Sequence, residues 1–166
     1  MRALLRILLL VIAGAALVAC GESKFQGYDG PQVTQIFVSK SNRRLYLLNG
    51  HDILKAYDID LGFAPEGHKQ IEGDGRTPEG MYRIDRRNPN SAFHLSVGIS
   101  YPNRRDVENA KMLGASPGGD IFIHGQPVVG QANGPDWTAG CIAVTNEEIE
   151  EIYAMVPDGT PIYLAP

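Results

Sequence analysis

Apolar residues come in short runs along most of the chain, and the runs are separated by turn-forming residues. Val33, Phe37 and Val38 begin one apolar strand, and Leu45-Tyr46-Leu47-Leu48 forms the next. Asn49-Gly50 then predicts a tight hairpin, because both residues accept positive φ. The return strand runs from about Ile53 to Leu61, with Asp58 and Asp60 on its wet face. Residues 62–80 carry no periodic pattern and read as loop. "MYRI" and "AFHLSV" read as short strands flanking a polar turn, "DRRNPN". A helix is predicted from Arg104 to Leu113. Ile121-Phe122-Ile123 is a strand ending at His124, and Ile142-Ala143-Val144 is another, starting just after Cys141. Thr145 and Glu148 form a capping box that opens a helix over about 146–156, with Ile149, Ile152, Tyr153 and Val156 on one face. Pro157-Asp158-Gly159 ends it, and "TPIYLAP" closes the chain as a strand. The pattern predicts a mainly β fold, a sandwich or barrel of short strands with one or two helices.

The first 20 residues break this pattern. They carry Arg2 and Arg6, no acid, and an apolar run from Ile7 to Val18, then Leu17-Val18-Ala19-Cys20. A run that short suits the core of an export signal better than a membrane span. The end of the run resembles a bacterial lipobox, which implies cleavage before Cys20 and its lipidation. A plain anchor helix is the alternative. The expected organisation is a signal over residues 1–20, a polar tether over 21–31 and one domain over 32–166. About 140 residues remain after processing, enough for one core. Such a protein belongs to the cell envelope or periplasm, held to a membrane by its lipid. Residues 21–166 hold 13 basic against 19 acidic groups, which argues against non-specific nucleic-acid binding.

Export changes the meaning of the cysteine count. The chain has 2 Cys. If Cys20 carries lipid, Cys141 is unpaired in an oxidising compartment and is flagged as reactive; a buried Cys acting as a small hydrophobe is the bland reading. His124 and Cys141 sit at predicted strand ends, 17 positions apart, and the Gly- and Pro-rich segment between them can double back. An imidazole beside a thiol stabilises thiolate, the nucleophilic form. The backbone N–H groups of Ala139, Gly140 and Cys141 could converge on an oxyanion. One Cys and scattered His residues show no metal-ligand spacing, so neither metal nor other cofactor is expected.

His124-Gly125, followed by Thr138-Ala139-Gly140-Cys141, resembles the signature of the L,D-transpeptidase catalytic domain, the YkuD-type family. "RRLYLLNGHDILKAYDIDLG" and "RTPEGMYRI" are similar to its first sheet and its Thr-Pro-x-Gly-x-Tyr segment. The resemblance implies a β-rich cysteine enzyme acting on peptidoglycan stem peptides, with Cys141 as nucleophile, His124 as base, the Gly125 carbonyl holding the ring, and Gly140 and Cys141 amides as oxyanion donors. It implies an acyl-enzyme that passes to an amine, or to water in a hydrolase; a wall-linked lipoprotein is a further possible substrate. Many relatives read Ser-His-Gly-Cys with Arg or Asn two residues after the Cys; here those places are Ala139 and Ala143. The two alanines also leave open a wall-binding module without catalysis.

Four further residues are candidates for substrate contact, each with a bland alternative. Thr138 and Trp137 adjoin the motif, and Trp137 either walls a groove or packs as core. Tyr82 either lines the pocket or is a half-buried strand residue. Arg104 either binds a stem-peptide carboxylate or sits on a solvated helix face, as do Arg83, Arg86 and Arg87. His51 and His68 read as solvated, and His94 as packed or surface.

Overall fold

β1 (Gln35–Ser39) pairs antiparallel with β2 (Arg44–Asn49), and β2 with β3 (Asp52–Asp58) across a Gly50-His51 turn, one residue beyond the predicted Asn49-Gly50, in a computed structural model that describes residues 23–130 and 132–166. Ile36, Val38, Leu45, Leu47 and Tyr57 are buried at alternate positions, as a half-wetted sheet requires. The final strand, β8 (Pro161–Ala165), lies parallel to β1 and carries β4 (Gly80–Ser91) on its other side. From β4 the sheet continues through β5 (His94–Ile99) and β6 (Phe122–His124) to β7 (Ile142–Ala143). The order is β3-β2-β1-β8-β4-β5-β6-β7. Past β3 the chain meets β7: Asp60 and Ala143 exchange two backbone hydrogen bonds of 2.9 Å each. A bridge between Gly62 and Thr138 extends this seam, so the twisted sheet curls round into a barrel-like closure.

Two helices complete the fold among the described residues. α1 (Arg104–Met112) starts in a capping box of Asn103 and Asp106, and α2 (Asn146–Met155) in the predicted box of Thr145 and Glu148. α2 packs on β5 and β6 and buries Ile149, Ile152 and Met155. Leu95, Val97 and Ile99 of β5 join this core, while Ser96 and Gly98 alternate to the opposite face.

The polar stretch "DRRNPN" is strand, not turn: it is the outer half of β4, and the chain reverses at Ala92-Phe93. Its polar composition hides packed side chains. The Arg87 guanidinium lies 4.6 Å from the Tyr153 ring and donates to the carbonyls of Tyr153 and Val156, capping the end of α2, which has no basic residue of its own there. Register shifts accommodate the stretch. Asp60 also departs from the expected wet face, because Oδ1 accepts from the Asp136 amide at 3.2 Å.

The described part of the predicted tether is laid against the domain. Lys24 Nζ donates to the carbonyls of Pro89 at 2.7 Å and His94 at 3.3 Å, Gln26 donates to Glu150, and Phe25 packs against Tyr153. The signal segment and the lipidation expected at Cys20 lie outside the described residues.

Candidate active site

The parallel register of β6 and β7 decides which side chains meet. Ile123 pairs with Ile142 and His124 with Ala143, so Cys141 stands beside Phe122. Side chains two apart on a strand share a face, and Phe122, His124 and Cys141 therefore project to the same side. Ser96 pairs with His124 and Gly98 with Phe122 on β5, while Asn88 and Arg86 of β4 pair with Ser96 and Gly98. Two rows of residues thus cross the sheet face: Asn88, Ser96 and His124, and beside them Arg86, Gly98, Phe122 and Cys141. A cavity of about 290 Å³ opens over Asn88, Ser96, His124, Phe122 and Cys141 of these rows and is walled by Phe93 and Asp120 among others; Arg86 and Gly98 lie outside its lining.

His124 is 3% exposed, and its Nδ1 lies 2.7 Å from the Gly125 carbonyl. A carbonyl only accepts, so Nδ1 carries the proton and neutral Nε2 keeps its lone pair. The Phe93 ring covers the imidazole at 4.4 Å, and Trp137 meets it edge-on at 5.6 Å. Burial lowers the His124 pKa below its ordinary value, against the pull of the Gly125 hydrogen bond. Burial raises the Cys141 thiol, only partly offset by the Phe122 amide. Its Sγ contacts the Asp120 carbonyl at 3.5 Å. Both shifts favour neutral forms. Desolvation in this pocket thus pushes both groups away from the thiolate–imidazolium pair expected from sequence.

The loop before Cys141 is fixed by its own hydrogen bonds. Gly140 has φ 130°, and a Cβ there would lie 2.7 Å from the Arg76 carbonyl, so glycine is required. Thr138 is 4% exposed; its hydroxyl accepts from the Gly140 amide at 3.1 Å and donates to the Cys141 carbonyl at 2.8 Å. Thr138 thus clamps the loop, and it does not line the cavity. The Gly140 amide is engaged and does not point freely at an oxyanion. Ala139 is exposed. Trp137 is half-buried, meets His124 edge-on and lines an adjacent groove with Phe63, Pro65 and Pro135.

Two predicted contacts are elsewhere. Tyr82 is buried and its hydroxyl donates to Asp106 Oδ2 at 2.8 Å. The side chain of Arg104 is 93% exposed on α1, and its Nε pairs with Glu108. Neither lines the cavity. His68, expected in solvent, accepts from the Glu79 amide at Nδ1 and so donates through Nε2 to Asp106 Oδ1 at 3.1 Å. Phe93, Phe122, Ser96, Asn88 and Asp120 were not legible as site residues. The alternation in "FHLSVGI" placed Ser96 opposite the apolar face, but pairing to β6 was needed to bring it beside His124.

A curled, closed β-sheet with one thiol and one imidazole on a single cavity face defines a class of domain, and comparison with known proteins agrees with it. The family model of the L,D-transpeptidase catalytic domain, YkuD, matches residues 33–164. This chain is 31% identical over 139 residues to YafK of Escherichia coli (strain K12), named as a candidate L,D-transpeptidase, covering 81% of this chain and 51% of the relative. It resembles the helical cell shape determining protein Pgp2 from Campylobacter jejuni, with TM-score 0.62 and 27% identity over 87% of this chain and 51% of that one. It shares the fold of Mycobacterium tuberculosis L,D-transpeptidase 1, with TM-score 0.52 and 14% identity over 81% and 62% of the two chains. The chain spans about half the length of the curated relatives it matches. It belongs to the L,D-transpeptidase catalytic domain family.

Proposed function

We propose that this protein is a cysteine-dependent L,D-transpeptidase acting on peptidoglycan stem peptides through a Cys141 acyl-enzyme. The observation that carries this is the shared cavity face of Cys141 and His124, with Nδ1 of the imidazole committed to Gly125. As a substrate carbonyl arrives, the thiol proton passes to His124 Nε2 and the sulfur attacks the carbonyl carbon. The Cys141 amide is the proposed donor to the oxyanion. The tetrahedral adduct collapses, the C–N bond breaks, and the leaving amine takes the proton from His124. An acceptor amine then attacks the thioester and gives its proton to Nε2; the C–S bond breaks, and the departing sulfur takes that proton from Nε2 to restore the thiol. No resting thiolate is needed, which suits the shifts toward neutral forms. The likeness to a protein that determines cell shape supports the wall as the site of action. Anchoring through lipidated Cys20 in the cell envelope belongs to the same proposal.

Mass spectrometry of muropeptides after incubation with the purified protein tests this. Wild type is expected to form cross-linked products and a covalent adduct with a carbapenem, and Cys141→Ala neither. Wild-type product formation by the variant would overturn the reading. Products that appear only with water as acceptor would identify a hydrolase using the same acyl-enzyme, including release of a wall-linked lipoprotein. Peptidoglycan binding without turnover would identify a binding module.

A further inference from the structure

Arg86 does not itself line the cavity, but packing carries it to Phe122 and Asp120, which do. Its register partner on β5 is Gly98, and a Cβ at Gly98 would lie 2.5 Å from Arg86 Cγ and 2.9 Å from Nε. The missing side chain is thus the trough in which the arginine stem lies. Beyond Gly98 in the same row stands Phe122, and the guanidinium lies 4.5 Å from its ring centroid. The next position in the row is Cys141. The arginine reaches across β5 toward the nucleophile, and its charge acts on the Cys141 thiol, lowering its pKa as a minor influence.

The partners of Arg86 are exchangeable. It pairs with Asp85 at 2.8 Å and with Asp120 at 3.4 Å, and the Asp120 side chain is 91% exposed. Such surface pairs are weak and screened. Lys69, the other cation acting on the thiol, is not available in this way: it is 3% exposed and held by Asp74 and the Ile71 carbonyl. Val144 and buried Ala143 supply no charge from β7. A planar guanidinium resting on an aromatic ring, with loosely held carboxylates at its edge, is suited to a bidentate carboxylate.

We propose that Arg86 is a substrate-binding residue that selects acyl donors carrying a free carboxylate on one of the two residues that flank the attacked bond. This rests on the acyl-enzyme reading above and names a requirement on its substrate. Two sources share this chemistry: the terminal carboxylate of the residue that leaves, and a side-chain carboxylate on the stem-peptide residue whose carbonyl is attacked.

The test uses four synthetic stem tetrapeptides, with each carboxylate free or amidated. Turnover is measured with wild type, Arg86→Gln and Arg86→Lys, and binding is measured by calorimetry on the same Arg86 forms in a Cys141→Ala background. Amidation of the recognised carboxylate is expected to lower kcat/KM and affinity roughly 10- to 100-fold in the Arg86 form, the range of a charged hydrogen bond. Arg86→Gln is expected to show a loss of that size with the free acid and no further loss on amidation, and Arg86→Lys to keep part of the preference. The identity of the sensitive amide tells the two sources apart. A penalty of wild-type size that persists in Arg86→Gln, or binding indifferent to both amidations, overturns the proposal. The binding arm does not use the thiol, so a failure of Cys141 catalysis would show as absent turnover with the Arg86-dependent preference intact. Matching melting temperatures exclude a folding defect as the cause of a changed preference.

Discussion

At the scale of single residues the protonation states are the informative quantity. His124 is pushed below its ordinary pKa, so it stays neutral, and competent as a base, to lower pH than a free imidazole. The acid limb of kcat/KM is therefore expected below pH ~6.5. Cys141 is pushed up, so its alkylation by iodoacetamide in the free protein is expected to be slow at neutral pH and to rise through a pKa above an ordinary thiol's. Fast alkylation that is flat from pH 6 upward would show a preformed ion pair and contradict the burial argument. His124 and Cys141 were legible in the sequence because few residue types do this chemistry and the Gly-Cys and His-Gly pairs mark sharp backbone positions. Tyr82, Thr138 and Arg104 lie outside the cavity lining, because residue type and place along the chain do not tell which way a side chain turns in the packed fold.

Within elements, local signals worked where the stabilising interaction is itself local. The capping box of α2 involves residues three apart and forms as expected, whereas the hairpin turns one residue later than expected: Asn49 ends β2 paired with Asp52, and Gly50-His51 make the turn with only Gly50 at positive φ. β4 failed because its stabilisation is remote. Arg87 belongs to a strand, yet its partners are the terminal carbonyls of α2, 66 and 69 residues later. Removing it leaves those carbonyls without the cation that complements the helix terminus. Arg87→Ala is expected to destabilise the fold by about 1–3 kcal/mol. Urea denaturation monitored by circular dichroism would measure this, and an unchanged midpoint would show that water replaces the arginine without loss.

Across the whole molecule the closure between the segment after β3 and β7 holds the site together. Asp136 is central to it: its carboxylate accepts from the Leu61 amide at 2.9 Å and pairs with Arg43 at 2.7 Å. Asp136 has φ 50°, a strained value that these contacts hold in place one residue before Trp137. Asp136→Ala is expected to release the loop carrying Thr138 and Cys141, lowering both the melting temperature and the carbapenem acylation rate. Loss of stability with an unchanged acylation rate would show that the loop is held by Thr138 and Gly140 alone.

By itself the sequence determined the period of the strands, the caps and turns, and the two residues able to carry the chemistry, because these depend on a residue's type and its near neighbours. Only the tertiary structure decided that His124 and Cys141 share a face with Ser96 and Phe122, that Arg86 and Arg87 part to opposite sides of one strand, and that burial pushes both the imidazole and the thiol toward their neutral forms. Register between strands distant in sequence and the extent of desolvation are properties of the packed sheet, and no local pattern encodes them.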